Sequence, residues 1–319
     1  IFLIFSLAIP ATHCSGYLQA SIEKDWDMVV EGQVESLSLI GFFLINNSNQ
    51  QVVSVETNGI AIIEGDRIKI NYTIVNPPPG QKRVWARAVI NTRYTPYFAD
   101  QPISISSIPA NVSATGSSSL QDSTPQMEAS ARALASNSSL ETIAAITEWV
   151  FENMEYDISY FGLNPPASQI FSERRGVCTE YTRLFISMLA AVGLESRAVS
   201  GYAFQNGSFQ PHSWAEVFVG NQTVPSDPTF GEVGALSAEH VAMQYSENPP
   251  QLNDSLSQVN RSGAFDYIST TGRGSANLSV GVSMTPLQMR DFNRFAELET
   301  DFNNQTGRLN ITVRNPSQN

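Results

Sequence analysis

Three features of the sequence predict an α+β protein of two domains. Short runs of alternating apolar and polar residues fill the first third of the chain. Apolar residues then recur at helical spacing from Thr124 to Met154 and again after Cys178, and strand-like runs return from Arg197 onward. The length agrees, because a chain of 319 residues with 42% hydrophobic content exceeds the roughly 250 residues at which single cores tend to split.

The first element is an apolar run, Ile1-Phe-Leu-Ile-Phe-Ser-Leu-Ala-Ile9, followed by Pro10 and small residues. This is the pattern of an export leader, and it is too short to span a bilayer. Residues 1–22 are assigned to such a leader. The alternatives are a membrane or cell-envelope anchor at Cys14, which the neighbouring His13 disfavours, and a self-assembly segment as in a pilin-like subunit, which Pro10 disfavours.

Residues 23–110 read as a β-sandwich of immunoglobulin-like type. Strand runs at Val34–Ile40, Gly59–Ile63, Ile68–Val75 and Arg83–Ile90 are punctuated by turn clusters at Asn46–Asn49, Asn58-Gly59 and Pro77-Pro-Pro-Gly80. Nothing there groups carboxylates, histidines or a phosphate-binding glycine loop, which leaves this domain the role of a spacer or adhesion module. Residues 111–122, dominated by Ser and other small or polar residues, have the composition of a linker.

The second domain is assigned to residues 123–300. Helices are expected over Thr124–Ser136 and Leu140–Met154, the latter with Ile143, Ile146, Val150 and Phe151 as its inner stripe. The helix after Cys178 puts Leu184, Phe185, Met188, Leu189 and Val192 on one face, with Gly193 where a left-handed cap belongs. Strands follow at Arg197–Phe204 and His212–Val219, another near Val241, and a helix near Leu287–Leu298. Residues 301–319 look like the start of a further β-module, with a strand at Leu309–Asn315.

Charge and composition narrow the functional classes. The formal net charge is -12, with three lysines, and offers no basic patch to neutralise a phosphate backbone, so nucleic acid is excluded as a partner. Charged residues make up only 15%, and the polar surface must come from Ser, Thr, Asn and Gln, a balance that suits an extracellular or cell-surface protein. Asn-x-Ser/Thr acceptor sites for glycan occur at Asn46, Asn71, Asn111, Asn137, Asn206, Asn221, Asn253, Asn260, Asn277, Asn304 and Asn310, more than this composition gives by chance. If Cys14 leaves with the leader, Cys178 is a lone thiol from an oxidising compartment and has no disulfide partner in the chain.

A cysteine at a helix N-terminus feels the positive end of the dipole and unpaired backbone N–H groups, which favour the thiolate a nucleophile needs. Gly176 allows a tight turn and close approach of substrate, and the Cys178 N–H can donate to an oxyanion. The thiolate also needs a base. Of the three histidines, His13 belongs to the leader and His240 lies in a polar stretch without evident partners, whereas His212 opens a strand after Gln210-Pro211 at a place suited to a cleft rim. Asp227 follows one strand-length later, where it can accept from the imidazole and fix its tautomer.

The segments Arg175-Gly-Val-Cys-Thr-Glu-Tyr-Thr-Arg-Leu-Phe185, Gly193–Tyr202, His212-Ser-Trp-Ala-Glu-Val-Phe218 and Asp227-Pro-Thr229 together resemble the transglutaminase-like core in order and spacing. The resemblance covers about Leu140–Gly231, with Trp149–Asp157 similar to the family's leading helix. It implies a papain-like α+β fold, helices packed on an antiparallel sheet, with Cys178 as nucleophile, His212 as general base and acid, and Asp227 as orienter. Many members place a Trp shortly before the Asp, where this chain has Thr223-Val-Pro-Ser226. For the second oxyanion donor, Tyr156 and Tyr160 are candidates. Trp214 and Tyr202 are read as core, and Arg197 as an ion-pair partner of Glu180. No Asp-x-Asp-x-Asp-Gly calcium loop and no clustered metal ligands are visible, so no cofactor is expected.

The leading expectation is an exported cysteine peptidase or amidase of the microbial and archaeal type, acting on protein or peptide amides through a thioester. Cross-linking, in which an amine replaces water in the second step, is the first alternative. A non-catalytic surface or filament glycoprotein that retains the fold is the second.

Overall fold

The computed structural model of the protein describes residues 15–95, 123–246, 266–291, 297–303 and 308–314. Six strands come first: β1 (Ser15–Glu31), β2 (Val34–Ile45), β3 (Gln50–Thr57), β4 (Ile60–Glu64), β5 (Arg67–Val75) and β6 (Gly80–Arg93). Helices α1 (Pro125–Leu134) and α2 (Ser139–Asn153) follow, then the short strand β7 (Glu155–Tyr156), helix α3 (Ala167–Glu173) and the short strand β8 (Arg175–Gly176). Helix α4 (Cys178–Ala191) leads into β9 (Ser196–Gln205), β10 (Ser208–Val219), β11 (Gln222–Asp227), β12 (Glu232–Val233) and β13 (His240–Ser246). The last elements are β14 (Tyr267–Gly272), β15 (Ser275–Asp291) and a hairpin of β16 (Glu297–Asn303) with β17 (Arg308–Arg314).

Two four-stranded antiparallel sheets, ordered β15-β1-β6-β3 and β14-β2-β5-β4, share one apolar core. Alternation explains the packing: Leu18, Ala20, Ile22, Trp26, Met28 and Val30 of β1 point inward, against Leu37 and Leu39 of β2 and Val84, Ala86 and Ile90 of β6. Domain boundaries differ from the expectation in two ways. Residues 15–22 are part of β1, and the leader reading falls otherwise on residues outside those described, as do Cys14, the linker at 111–122 and the anchoring and assembly roles given to the N-terminus. The second difference is that β14 and β15 return to the first domain, where Tyr17–Glu31 pair with Ser275–Arg290. The helix expected near Leu287–Leu298 is therefore strand up to Asp291 and again from Glu297. Ala276, Leu278, Val280, Val282 and Met284 alternate strictly, and they pack on the sandwich core.

In the second domain, α1 and α2 start where side chains cap them. Thr124 accepts from Met127 N at 3.2 Å and Ser138 from Glu141 N at 3.2 Å. Ile143, Ile146 and Val150 are buried as expected, but Phe151 is exposed and lies over Gly231. The buried face of α4, including Leu184, Phe185, Met188 and Leu189, packs with these residues onto Ala215, Val217 and Val224 of a five-stranded sheet ordered β12-β11-β10-β9-β13. Gly193 ends α4 at φ 77°, and Leu194 N bonds to Leu189 O at 3.0 Å, closing the helix as a left-handed cap does.

Strand β13 is the edge of this sheet, and the first domain covers it. Ala238, Val241 and Met243 join the sandwich core cluster, while Ile45 of β2 joins Val199, Trp214 and Tyr245. Gly201 on β9 lets its neighbour β13 lie close to it, because a Cβ there would stand 1.9 Å from Val241 O.

Candidate active site

Cys178 occupies the first helical position of α4, after Val177 as N-cap. The turn is locked by Glu180, whose Oε2 accepts from Val177 N at 3.0 Å and from Thr179 Oγ1 at 3.1 Å. Gly176 is required for this lock rather than for a special dihedral, since a Cβ would lie 2.2 Å from Glu180 Cβ. Glu180 is fully buried, and burial raises its pKa, against the backbone bond from Val177 and the side-chain bond from Thr179. The expected Arg197–Glu180 pair does not form. Arg197 bonds instead to Glu216 Oε2, its neighbour across β9 and β10, through Nε at 2.9 Å and Nη2 at 2.7 Å, and its guanidinium lies 3.3 Å from the Tyr245 ring centre.

His212 lies within β10 rather than at its start. The strand begins at Ser208, after a turn at Asn206-Gly207, and His212 pairs with Gly201. Pro211 is tolerated there because β11 pairs only with Ala215–Val219, so the strand has no partner on that flank at residue 211. The ring of His212 stacks on Phe230 at 4.4 Å and 8°, and Trp214 lies 6.0 Å away at 26°. Stacking against these rings restricts the plane of the imidazole.

Asp227, at the end of β11, is fully buried. Its Oδ2 is 2.6 Å from His212 Nε2, and its Oδ1 accepts from Thr229 N at 2.8 Å and Phe230 N at 3.2 Å. With Nε2 taken by Asp227, Nδ1 is the His212 nitrogen left for Cys178, which is near enough to help hold the pKa of the ring up. Burial disfavours a charged His212, but Asp227, with Cys178 adding to it, outweighs burial and holds the pKa up at about 10. Burial likewise works against Asp227, yet the charge and hydrogen bonds of the histidines hold its carboxyl well below the usual carboxylate range. The structure therefore brings together all three residues singled out in the sequence.

A fourth residue escaped the sequence reading. His240, at the start of β13, is buried, and its Nε2 lies 2.9 Å from the same Asp227 Oδ2. Its Nδ1 is 3.2 Å from both Ser237 Oγ and Ser237 O. The only sequence signal was arithmetic, since His240 is the one histidine left once His13 and His212 are assigned. The expectation of no clustered metal-capable side chains is corrected as well, because His212, Asp227 and His240 converge with ligand atoms within 4.8 Å of one another. The spacings of 2.6 and 2.9 Å to one carboxylate oxygen are those of two N–H···O bonds.

The two tyrosines differ. Tyr160 donates to Glu173, which removes it from the site. Tyr156 is half exposed on β7, beside Gly176 of β8, and its pKa is pushed up to about 12 by burial and by the nearby charges of Cys178 and Glu180. Of the glycan acceptor positions, Asn46, Asn137, Asn206, Asn221 and Asn277 are exposed and Asn71 is half-buried. Asn111, Asn253, Asn260 and Asn304 lie outside the described residues, as does the surface of Asn310.

Helices packed on an antiparallel sheet, with a thiol at a helix start facing a His–Asp pair from adjacent strands, define a thiol-dependent class of protein. Residues 128–228 match the family model of the transglutaminase-like superfamily, so the chain carries a transglutaminase-like domain that includes Cys178, His212 and Asp227. His240 lies beyond the matched segment. Among solved structures, the fold is similar to that of "a Putative Cysteine Protease from Cytophaga hutchinsonii", with a TM-score of 0.50 and 15% identity over 93% of this chain and 100% of that one. Weaker similarities are to "a Putative Protease from Parabacteroides distasonis" (TM-score 0.29, 14% identity, 70% of this chain and 46% of that one) and to a structure described as "a TGase" (TM-score 0.27, 12% identity, 57% and 45%). No curated protein matches the chain.

Proposed function

We propose that the protein is a cysteine peptidase or amidase that cleaves protein or peptide amide bonds through a thioester. The observation that carries this reading is the continuous line from Cys178 through His212 to the buried Asp227, with Nε2 to Oδ2 at 2.6 Å. Cys178 sulfur attacks the amide carbonyl, His212 Nδ1 returns a proton to the departing amine, and water activated by the same imidazole releases the acid. Asp227 keeps the proton of Nε2 directed away from the reacting atoms and stabilises the imidazolium. Charge on the tetrahedral oxygen falls near the start of α4, where Cys178 N–H lies in the helix turn whose donors have no i−4 partner, with Tyr156 as the side-chain candidate. Export to the outside of the cell is part of this reading, supported by the exposed glycan acceptor positions and the low content of charged residues.

Two measurements test it. Iodoacetamide should alkylate Cys178 in the native protein at neutral pH at least about ten times faster than in the denatured chain; equal rates would remove the thiol-nucleophile basis. With casein or a glutamine-containing peptide and a fluorescent primary amine, new N-termini or ammonia without amine incorporation mark hydrolysis. Incorporation of the amine would make the protein a cross-linking enzyme instead.

A further inference from the structure

Asp227 accepts from two imidazoles through one oxygen, and the second of them is carried by the strand that the first domain covers. Gln50, the first residue of β3, is buried and its amide acts on β13 like a neighbouring strand. Gln50 Oε1 accepts from Ala242 N at 2.8 Å, and Gln50 Nε2 donates to Ala242 O at 2.7 Å and to Ile45 O at 2.7 Å. Thr92 of β6 donates through Oγ1 to Ala238 O. These contacts bracket His240 on both sides in the chain, two residues away in each direction. All are buried, where a backbone group left without a partner is costly.

We propose that His240 is a positioning residue of the active site and that the β-sandwich domain holds it there through Gln50 and Thr92, so that this domain is a working part of the site rather than a spacer. The inference rests on the acyl-transfer reading for its functional meaning, but its geometry does not. With His240 Nε2–H and His212 Nε2–H both donating to Oδ2, the carboxylate cannot swing toward either ring, and both tautomers are fixed. The negative charge is also divided, so His212 feels less of it than it would from an Asp227 of its own. His240 has partners in either protonation state. Neutral, its Nδ1 accepts from Ser237 Oγ; charged, the same nitrogen donates to Ser237 O, with Glu232 Oε2 3.9 Å away on β12. Trp214 packs edge-on at 5.1 Å and Phe230 at 5.6 Å, which confines the ring.

The test uses the full chain with His240→Leu, His240→Gln and Gln50→Leu. Two readouts are followed against pH: the titration of His212 by imidazole 15N NMR, and the rate of Cys178 alkylation. His240→Leu should move the His212 titration upward by roughly half a pH unit or more, because the carboxylate then bonds one imidazole alone. It should also slow alkylation several-fold, through the freed carboxylate. Glutamine keeps an N–H donor at a similar reach, so His240→Gln should stay within a quarter of a pH unit or so of the parent. Gln50→Leu should shift the titration in the direction of His240→Leu, by less, although Gln50 touches no residue of the triad.

A His212 titration unmoved in both leucine variants, with only thermal stability reduced, would overturn the proposal. Should His240→Leu fail to fold, the comparison of Gln50→Leu with the parent decides alone: a shifted titration supports the proposal and an unmoved one refutes it. The NMR readout keeps the two claims separate. A parent protein whose Cys178 is unreactive, but whose His212 titration responds to His240, would sink the peptidase reading and leave this inference standing.

Discussion

Asp227 and Asp266 are both buried carboxylates facing cations, one in each domain, and their surroundings make different things of the same electrostatic problem. In the sandwich, Lys24 Nζ lies 2.9 and 3.1 Å from the two oxygens of Asp266 and 2.6 Å from Phe42 O, while Phe42 N donates to Asp266 Oδ1 at 2.9 Å. Burial pushes the Lys24 amine down, and Asp266 opposes that shift. The hydrogen bonds of this pair end on backbone or on the partner, and Lys24 Nζ otherwise faces the Trp26 ring at 5.0 Å, so the pair has nowhere to send a proton. Asp227 is held as tightly, by two backbone N–H groups and two imidazoles, but one of those imidazoles, His212, lies near enough to the Cys178 thiol to be influenced by it. Chemistry at a buried carboxylate therefore depends less on its own hydrogen bonds than on whether its partner has a second, reactive face.

The comparison breaks most visibly if that face is removed. Cys178→Ala should abolish amide cleavage, a loss of at least about 10⁴-fold, with the melting temperature nearly unchanged, as activity assays and calorimetry would show. Asp227→Asn should lower the rate by roughly 10³–10⁴-fold, by disturbing the tautomer and the charge of His212. The lysine pair should respond in the opposite sense. Asp266→Asn leaves Lys24 buried without a counter-charge and should cost about 3–5 kcal/mol in urea unfolding, with Cys178 alkylation in the folded protein unchanged. The apolar double replacement Lys24→Met with Asp266→Leu should recover most of that loss.

Acidity separates the two sites further. His212 is raised to about 10 in the folded protein, above an unfolded value near 6.5. Its contribution to stability is fully present below the unfolded value and is lost as pH rises through about 10. Asp227 is depressed, so its contribution is present above the ordinary carboxylate range and is lost as pH falls through its lower, folded value. Denaturant midpoints should therefore decline on the alkaline side from pH 7 to 10, and Asp227→Asn should flatten that decline. Amide cleavage should fall over the same interval, as the imidazolium that supplies the leaving amine with its proton disappears. The smallest effect belongs to an exposed pair. Arg132 and Glu128, 2.8 Å apart on the surface of α1, should give up no more than about 0.5 kcal/mol when Glu128 becomes Gln, with no change at the thiol.

Much of the second domain was legible because its signals are local. The period of α2 and α4, the cap positions and the left-handed Gly193 can each be read within a window of some fifteen residues, and Cys178, His212 and Asp227 follow in order within fifty residues. Legibility failed where partners are distant. Arg197 was paired with Glu180 on charge alone, whereas register across β9 and β10 gives it Glu216. His240 was set aside because its own neighbours in the chain are polar, and only the pairing of β13 with β9 carries it to Asp227. The inward alternation of β15 was present in the sequence, but its partner strand β1 lies some 250 residues earlier, and without that partner the end of the segment read as the start of a helix.

By itself, the sequence put forward the residues proposed to carry the chemistry, Cys178 at a helix start, His212 on a strand and Asp227 one strand later, through their residue types and through the resemblance of their order and spacing to the transglutaminase-like core. Tertiary structure decided how the charge at the site is shared and which domain holds it. The Gln50 amide that secures β13 and the second imidazole on Asp227 arise from long-range packing and buried hydrogen bonding, and neither leaves a periodicity that a linear reading can find.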